Sequence, residues 1–324
     1  MDISIVIPLK NAGLKIKTVL DAIFAQKTNM SYEVICVDSG SSDETLSIVQ
    51  NYKKVNLYCI DPIQFGHGRT RNYGASLGTG DYIVFITQDA IPASETWLNE
   101  LVNSLKNDKK AAGAFGVHYP YPDCNIFDKR DIINHFLRFG DSNTSFYIQD
   151  YHRYENEEPY RLFLNFYSDN NSCMRRSVWE QIPYDDVDFA EDQLWAAKVL
   201  LLGYHKVYCP YAPVYHSHNY SISTFFTRYY DEFKNLYKIQ KFKLVPSFIM
   251  LFPAIMRNIY YDFRYINTLN LRFNEKLYWA FYSIAKNNCR YFAGWLGANY
   301  HLLPKSLKFA LDNLFSQQIK QTKK

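Results

Sequence analysis

The chain of 324 residues is 48% hydrophobic and 21% charged, a globular balance with room for a large core and an appended segment. Its six cysteines (Cys36, Cys59, Cys124, Cys173, Cys209, Cys289) have neither zinc-site spacing nor a paired framework, so they read as reduced, buried thiols of a cytosolic protein. The net charge of +4 hides a split: residues 221–324 hold 16 Lys and Arg against 5 Asp and Glu, which leaves residues 1–220 at −7. With aromatic residues at 17%, a basic, Tyr- and Phe-rich end has the chemistry to meet phosphates beside an apolar surface.

In chain order, "ISIVIP" (residues 3–8) is an apolar, β-branched run closed by Pro8, as expected of a buried parallel strand, and no secretory signal is visible before it. Asn11 and Gly13 supply a turn into a helix whose apolar positions Ile16, Val19, Leu20, Ile23 and Phe24 fall at helical spacing. "YEVICVDSGSSDET" repeats that grammar, with a strand over 32–37 and a helix over about 44–51. "VNLYCID" (55–61) and "DYIVFIT" (81–87) add two strands. Strands alternating with helices predict a parallel sheet with ligands at its carboxyl edge, where Pro8, Asp38, Asp61 and Asp89 would gather. Past residue 110 the rhythm weakens, and residues 116–170 read as loops. A polar loop then feeds a helix near "CMRRSVWEQ", and "FAEDQLWAAKVLLLGYHKVYCPYAPVYHSH" (189–218) reads as helix, Gly203 stop and strand. From Ser221 amphipathic helices dominate, and "LVPSFIMLFPAIM" is too short and too proline-broken to span a bilayer.

Five clusters carry candidate chemistry. In "VDSGSSD", Asp38 ends a strand beside small residues including Ser39, suited to accept from a nucleobase imide, with Asp43 placed to cap the next helix. "FGHGRTRNYGASLGTGD" lacks the dinucleotide fingerprint, which disfavours a Rossmann dehydrogenase, while Arg69 and Arg71 offer planar cations to a pyrophosphate or base. In "FITQDAIP", Asp89 lies too early to cap the next helix, a task better suited to Ser94, so it reads as a ligand for a divalent cation whose shell phosphates and water complete. Glu191 and Asp192 open a helix, where the positive helix end would keep a general base ionised. His216 and His218 alternate along a strand, and either has the chemistry to join Asp89 on a metal.

In this order the segments "SIVIPLKNAG", "VICVDSGSSDET", "GRTRNYGASLGTGDYIVFITQDA", "CMRRSVWEQI", "FAEDQLWAAKVLLLGY" and "VYHSH" resemble the inverting family 2 glycosyltransferases. "FGHGRTRN", "TQDA" and "WLGANYHLLPKSLK" are similar to bacterial rhamnosyltransferases that use dTDP-L-rhamnose. The resemblance implies an α/β GT-A nucleotide-diphospho-sugar transferase fold, Rossmann-like and mostly parallel, over residues 1–220, with a helical extension over 221–324. It implies that Pro8, Asp38, Ser39, Arg71 and Gln88 bind the nucleotide and that Asp89, His216 and His218 hold Mg2+ or Mn2+. Asp192 would be the catalytic base. The usual Asp-x-Asp triplet stands here as Thr87, Gln88, Asp89, so a single acid carries the metal. The implied partners are a nucleotide-sugar donor, a saccharide acceptor on polyprenyl diphosphate and the anionic inner leaflet, with no nucleic acid and oligomerisation open. A non-catalytic sugar-nucleotide module and another donor such as a UDP-hexose are the alternatives. A nucleotidyltransferase is a poor match, because "PLKNAGLKIK" lacks its Gly-rich loop.

Overall fold

The computed structural model describes residues 1–187 and 189–316; the end of the basic extension, with Lys320, Lys323 and Lys324, lies outside the described residues. The chain divides into two units, Met1–His218 and a second beginning at Asn219.

The first unit is built on one sheet whose strands lie in the order Val55–Cys59, Tyr32–Asp38, Ile3–Leu9, Tyr82–Ile86, Asn171–Arg175, Ala111–Tyr119, His205–Tyr215 and Ile91–Pro92, with Thr144–Phe146 also paired to His205–Tyr215. β1 (Ile3–Leu9), β2 (Tyr32–Asp38), β3 (Val55–Cys59) and β4 (Tyr82–Ile86) are mutually parallel where they pair. The helices between them are α1 (Lys15–Phe24), α2 (Thr45–Gln50) and α3 (His67–Leu77). β5 (Ile91–Pro92) and α4 (Trp97–Lys106) follow. Ile3, Ile5 and Ile7 of β1 pack on one face with Ile16 and Leu20 of α1 and Leu101 of α4, while Val6 packs on the other with Phe85. A strand buried on both faces needs apolar residues at successive positions, which is why "ISIVI" reads as a continuous run. Each such side chain taken from water contributes about 1.5 to 3 kcal/mol.

The remaining elements depart most from the sequence reading. β6 (Ala111–Tyr119) is a long strand, and residues 116–170 hold α5 (Ile126–Leu137), β7 (Thr144–Phe146), α6 (Tyr151–Asn156) and α7 (Glu158–Asn165) rather than loops alone. β8 (Asn171–Arg175), read from sequence as a polar loop, inserts antiparallel between β4 and β6. Its polar residues are buried because they are paired. Asn171 accepts from Trp97 Nε1 at 2.8 Å and donates to the Ala212 carbonyl at 2.7 Å, and Ser172 donates to Asp169 at 2.7 Å. The short α8 (Arg176–Trp179), α9 (Glu191–Leu201) and β9 (His205–Tyr215) complete the unit.

Four local expectations are corrected. α4 begins at Trp97 with Thr96 at its N-cap and no side-chain cap; Ser94 instead bonds the Thr96 backbone N–H at 3.2 Å. Asp61 is a cap, accepting from Ile63 N at 2.9 Å at the head of a short 3-10 turn. Asp43 reaches α2 from one residue before its N-cap, Glu44, accepting from Thr45 N at 3.0 Å. Cys59 is exposed and Cys289 half-buried, the other four cysteines are buried, and all six are free.

The second unit is helical: α10 (Ile222–Gln240), α11 (Leu251–Thr268), α12 (Phe273–Ala298) and α13 (Lys305–Phe315). α11 and α12 pack together, and buried Asp262 of α11 accepts from Ser283 Oγ at 2.7 Å and Asn287 Nδ2 at 2.8 Å of α12. Among the described residues no helix is long and apolar enough to cross a membrane.

Candidate active site

The carboxyl edge of the sheet carries the polar clusters, and hydrogen bonds, close side-chain approaches and chain neighbours join them in one line. At one end of that edge, β1 and β2 stop together with Leu9 opposite Asp38. Ser39 Oγ donates to the Leu9 carbonyl at 3.0 Å, which pins the turn to β1. Asp38 is buried, and its carboxylate accepts from the backbone N–H groups of Gly40 and Ser41, each at 2.8 Å, and from Ser41 Oγ at 2.5 Å. The turn needs glycine at position 40, where φ is +87° and a Cβ would stand 2.6 Å from Pro62 Cγ.

Asp38 and Ser39, read from sequence as contacts to a nucleotide base, are also structural. Their side chains shape the turn. Half-buried Pro8 pairs with Val37 just behind that edge. Lys10, which the sequence reading passed over, lays its ammonium on the carbonyls of Ser39 at 2.9 Å and Gly40 at 2.7 Å. Gln88 accepts from Lys10 N at 2.8 Å and donates to Lys10 O at 3.0 Å, so its amide clamps β1 to the end of β4 instead of standing free for a ligand.

Next to Gln88 stands Asp89. His216 Nε2 lies 3.6 Å from one of its oxygens and His218 Nε2 3.7 Å from the other. One ligand atom from each of the three residues falls within 4.8 Å of the others. Burial works to raise the Asp89 carboxyl, but the hydrogen bond and charge of His216, with His218 and Lys15, outweigh it and hold the group well below the usual range. An ionised oxygen and two imidazole nitrogens form a donor set that fits a divalent cation of borderline softness, Mn2+ better than Mg2+. Around them Tyr121 donates to the Asp89 carbonyl at 2.9 Å, and buried His118 stacks edge-on to His216 with ring centroids 5.5 Å apart.

Residues 169 and 170 link this trio to the last cluster. Asn170 Nδ2 approaches His216 Nδ1 at 3.4 Å, and the preceding Asp169 N–H donates to Asp192 Oδ2 at 3.3 Å. Asp192, the second residue of α9, is half-buried, while Glu191 is buried. The N-cap before them, Ala190, is held in the left-handed region at φ 57°. Arg71 does not face the crevice. It is buried, ion-paired to Glu191 and to Asp169 at 3.3 Å, and so ties α3 to α9 rather than holding a base. Asp169 also accepts from Tyr184 O–H at 2.7 Å. Arg69, by contrast, pairs at the surface with Asp186 at 2.6 Å.

Three carboxylates around one guanidinium crowd like charge in a dry place. Burial first, then Glu191 and Asp169, outweigh Arg71 and raise the Asp192 carboxyl well above its ordinary range. The sequence reading expected the helix end to favour the ionised form; burial and the neighbouring carboxylates work against it. A carboxyl of raised proton affinity is suited to act as a general base.

A mostly parallel sheet whose carboxyl edge joins a rigid turn, a metal-capable trio and a raised carboxyl has the layout of an α/β GT-A fold. The description "Glycosyl transferase family 2" matches residues 4–182. The chain is 35% identical over 234 residues to the O-antigen chain rhamnosyltransferase RfbN of Salmonella typhimurium, covering 71% of each. It belongs to glycosyl transferase family 2 and is a glycosyltransferase. Among solved structures it is similar to S. aureus TarS 1-349, with TM-score 0.53 and 15% identity over 93% of this chain and 92% of that one. It is similar too to the mannosyltransferase PcManGT from Pyrobaculum calidifontis in complex with GDP-Man and Mn2+, with TM-score 0.53 and 16% identity over 96% and 78%. At such identities the likeness is one of fold.

Proposed function

We propose that the protein moves L-rhamnose from dTDP-L-rhamnose, with inversion, onto a hydroxyl of a growing cell-surface polysaccharide. The acceptor is carried on a polyprenyl diphosphate, and the enzyme works from the cytoplasm, peripherally on the inner membrane. The observation that carries the catalytic reading is the continuous line of contacts from the Asp38 turn through Gln88, Asp89 and His216 to Asp192. The donor reading is supported by similarity to a rhamnosyltransferase over 71% of the chain.

The residues divide the work. The Asp38 turn, pinned by Ser39 and Lys10, offers the nucleotide a rigid backbone wall. A divalent cation held by Asp89, His216 and His218 would neutralise charge on the departing diphosphate. Asp192 takes the proton of the acceptor hydroxyl as its oxygen attacks the anomeric carbon on the side opposite the leaving group, so one displacement inverts that centre. Asp169 and Glu191, locked by Arg71, hold Asp192 in place and set its proton affinity.

The test is a panel of nucleotide sugars with Mn2+ or with EDTA, read as donor hydrolysis. Hydrolysis confined to dTDP-L-rhamnose and lost in EDTA is expected. Preference for a UDP-hexose overturns the donor, full activity in EDTA overturns the metal, and nucleotide binding without turnover leaves a binding module.

A further inference from the structure

The second unit turns an unusual face to solvent. α11 buries Leu251, Ile255, Ile259 and Ile266 on its inner stripe. A second apolar stripe at helical spacing, Ile249 before the helix and then Phe252, Met256 and Tyr260, stays outside, 84%, 71%, 49% and 58% exposed. A soluble helix ordinarily carries polar residues there. Arg257 and Arg264 flank the stripe, both exposed, and among the described residues neither has a carboxylate at ion-pair distance.

The acids of this unit are engaged elsewhere. Asp262 is turned inward to Ser283 and Asn287, Glu275 pairs with Arg272 at 2.9 Å, and Asp312 is taken by Lys234 at 2.7 Å. Asp231 is buried, and burial raises the Glu232 carboxyl against the pull of Arg290 and Arg228. What the helix offers is an apolar ridge with uncompensated cations beside it.

We propose that this outer face of α11, with the segment just before it, lies in the headgroup region of an anionic lipid surface. The face chooses among occupants by chemistry. A second copy of the chain, meeting the same patch, would set Arg257 and Arg264 against themselves. A nucleic acid would use the aromatic rings, but Ile249 and Met256 give it nothing to stack on. Lipid accepts both halves: acyl chains take the ridge and headgroup phosphates take the guanidinium groups. The helix lies on the surface, since no described helix is apolar enough to span it. The inference rests on the proposed reading of a membrane-carried acceptor and gives that reading a contact surface.

The experiment is flotation of the full chain with vesicles of phosphatidylcholine alone or with phosphatidylglycerol, beside donor hydrolysis on soluble substrates. Partition to the anionic vesicles is expected. It should fall about tenfold or more in the Phe252→Ser, Met256→Ser variant and about fivefold per removed cation in Arg257→Gln, Arg264→Gln, with soluble hydrolysis unchanged in both. These side chains are exposed, and a thermal melt checks that each variant is folded. Equal partition to neutral vesicles, no partition, or full partition by both variants overturns the proposal. So does a wild-type oligomer that Phe252→Ser converts to monomer, which assigns the face to a second copy, or retention by RNA with no vesicle binding. Hydrolysis failing while vesicle binding persists sinks the catalytic reading and leaves this one standing.

Discussion

Asp192 shares its surroundings with two other carboxylates and one guanidinium, and that composition dictates a pH dependence. A base must be free of its proton, so kcat/KM should climb with pH along a limb that belongs to the coupled cluster, not to one group. Glu191 is the larger of the two carboxylate influences raising Asp192. Glu191→Gln should therefore move the limb to lower pH in a pH–rate profile; a limb that stays put or moves up contradicts the assignment. Stability runs the opposite way with pH. A carboxyl whose folded value is raised contributes stability below its unfolded value of about 3.9, and that contribution is lost as pH rises through the folded value. The trio of Asp89, His216 and His218 was legible at this scale because "TQDA" and "VYHSH" put ligand-type residues at strand ends. The role of Arg71 was not, because its partner Glu191 lies 120 residues away and an isolated arginine reads as a ligand contact.

At the scale of elements, close approach decides where α3 lies. A Cβ on Gly68 would stand 2.4 Å from the Asp185 carbonyl and 3.4 Å from Glu191 Cβ. Helix propensity alone favours Gly68→Ala by about 1 kcal/mol, whereas overpacking against backbone costs about 1 to 3 kcal/mol. Net destabilisation is expected in urea unfolding; a stabilised variant would show that the 184–186 segment gives way freely. Elements were readable wherever burial was mainly apolar, as in β1, β2 and β4. β8 was hidden because a buried strand carrying Asn171 and Ser172 looks like a loop until Trp97, Ala212 and Asp169 are seen to satisfy it. Residues 116–170 misled for a related reason, since α5 buries chiefly Phe127 and Phe136 and shows little periodicity.

At the scale of the molecule, the charge division visible in composition has two different structural meanings. In the first unit acids gather at one sheet edge, where Asp38 builds a turn, Asp89 faces two imidazoles and Asp192 stands among other carboxylates. In the second, acids are buried or paired and cations remain at the surface of α11. The central claim is that donor binding and proton removal belong to separate stretches of one edge. It is tested most directly by Asp192→Asn, with nucleotide affinity by calorimetry and turnover measured on the same sample. The expected result is nucleotide affinity within about twofold of wild type and turnover lower by about a hundredfold or more. Unchanged turnover, or affinity and turnover lost together in a folded variant, would contradict it.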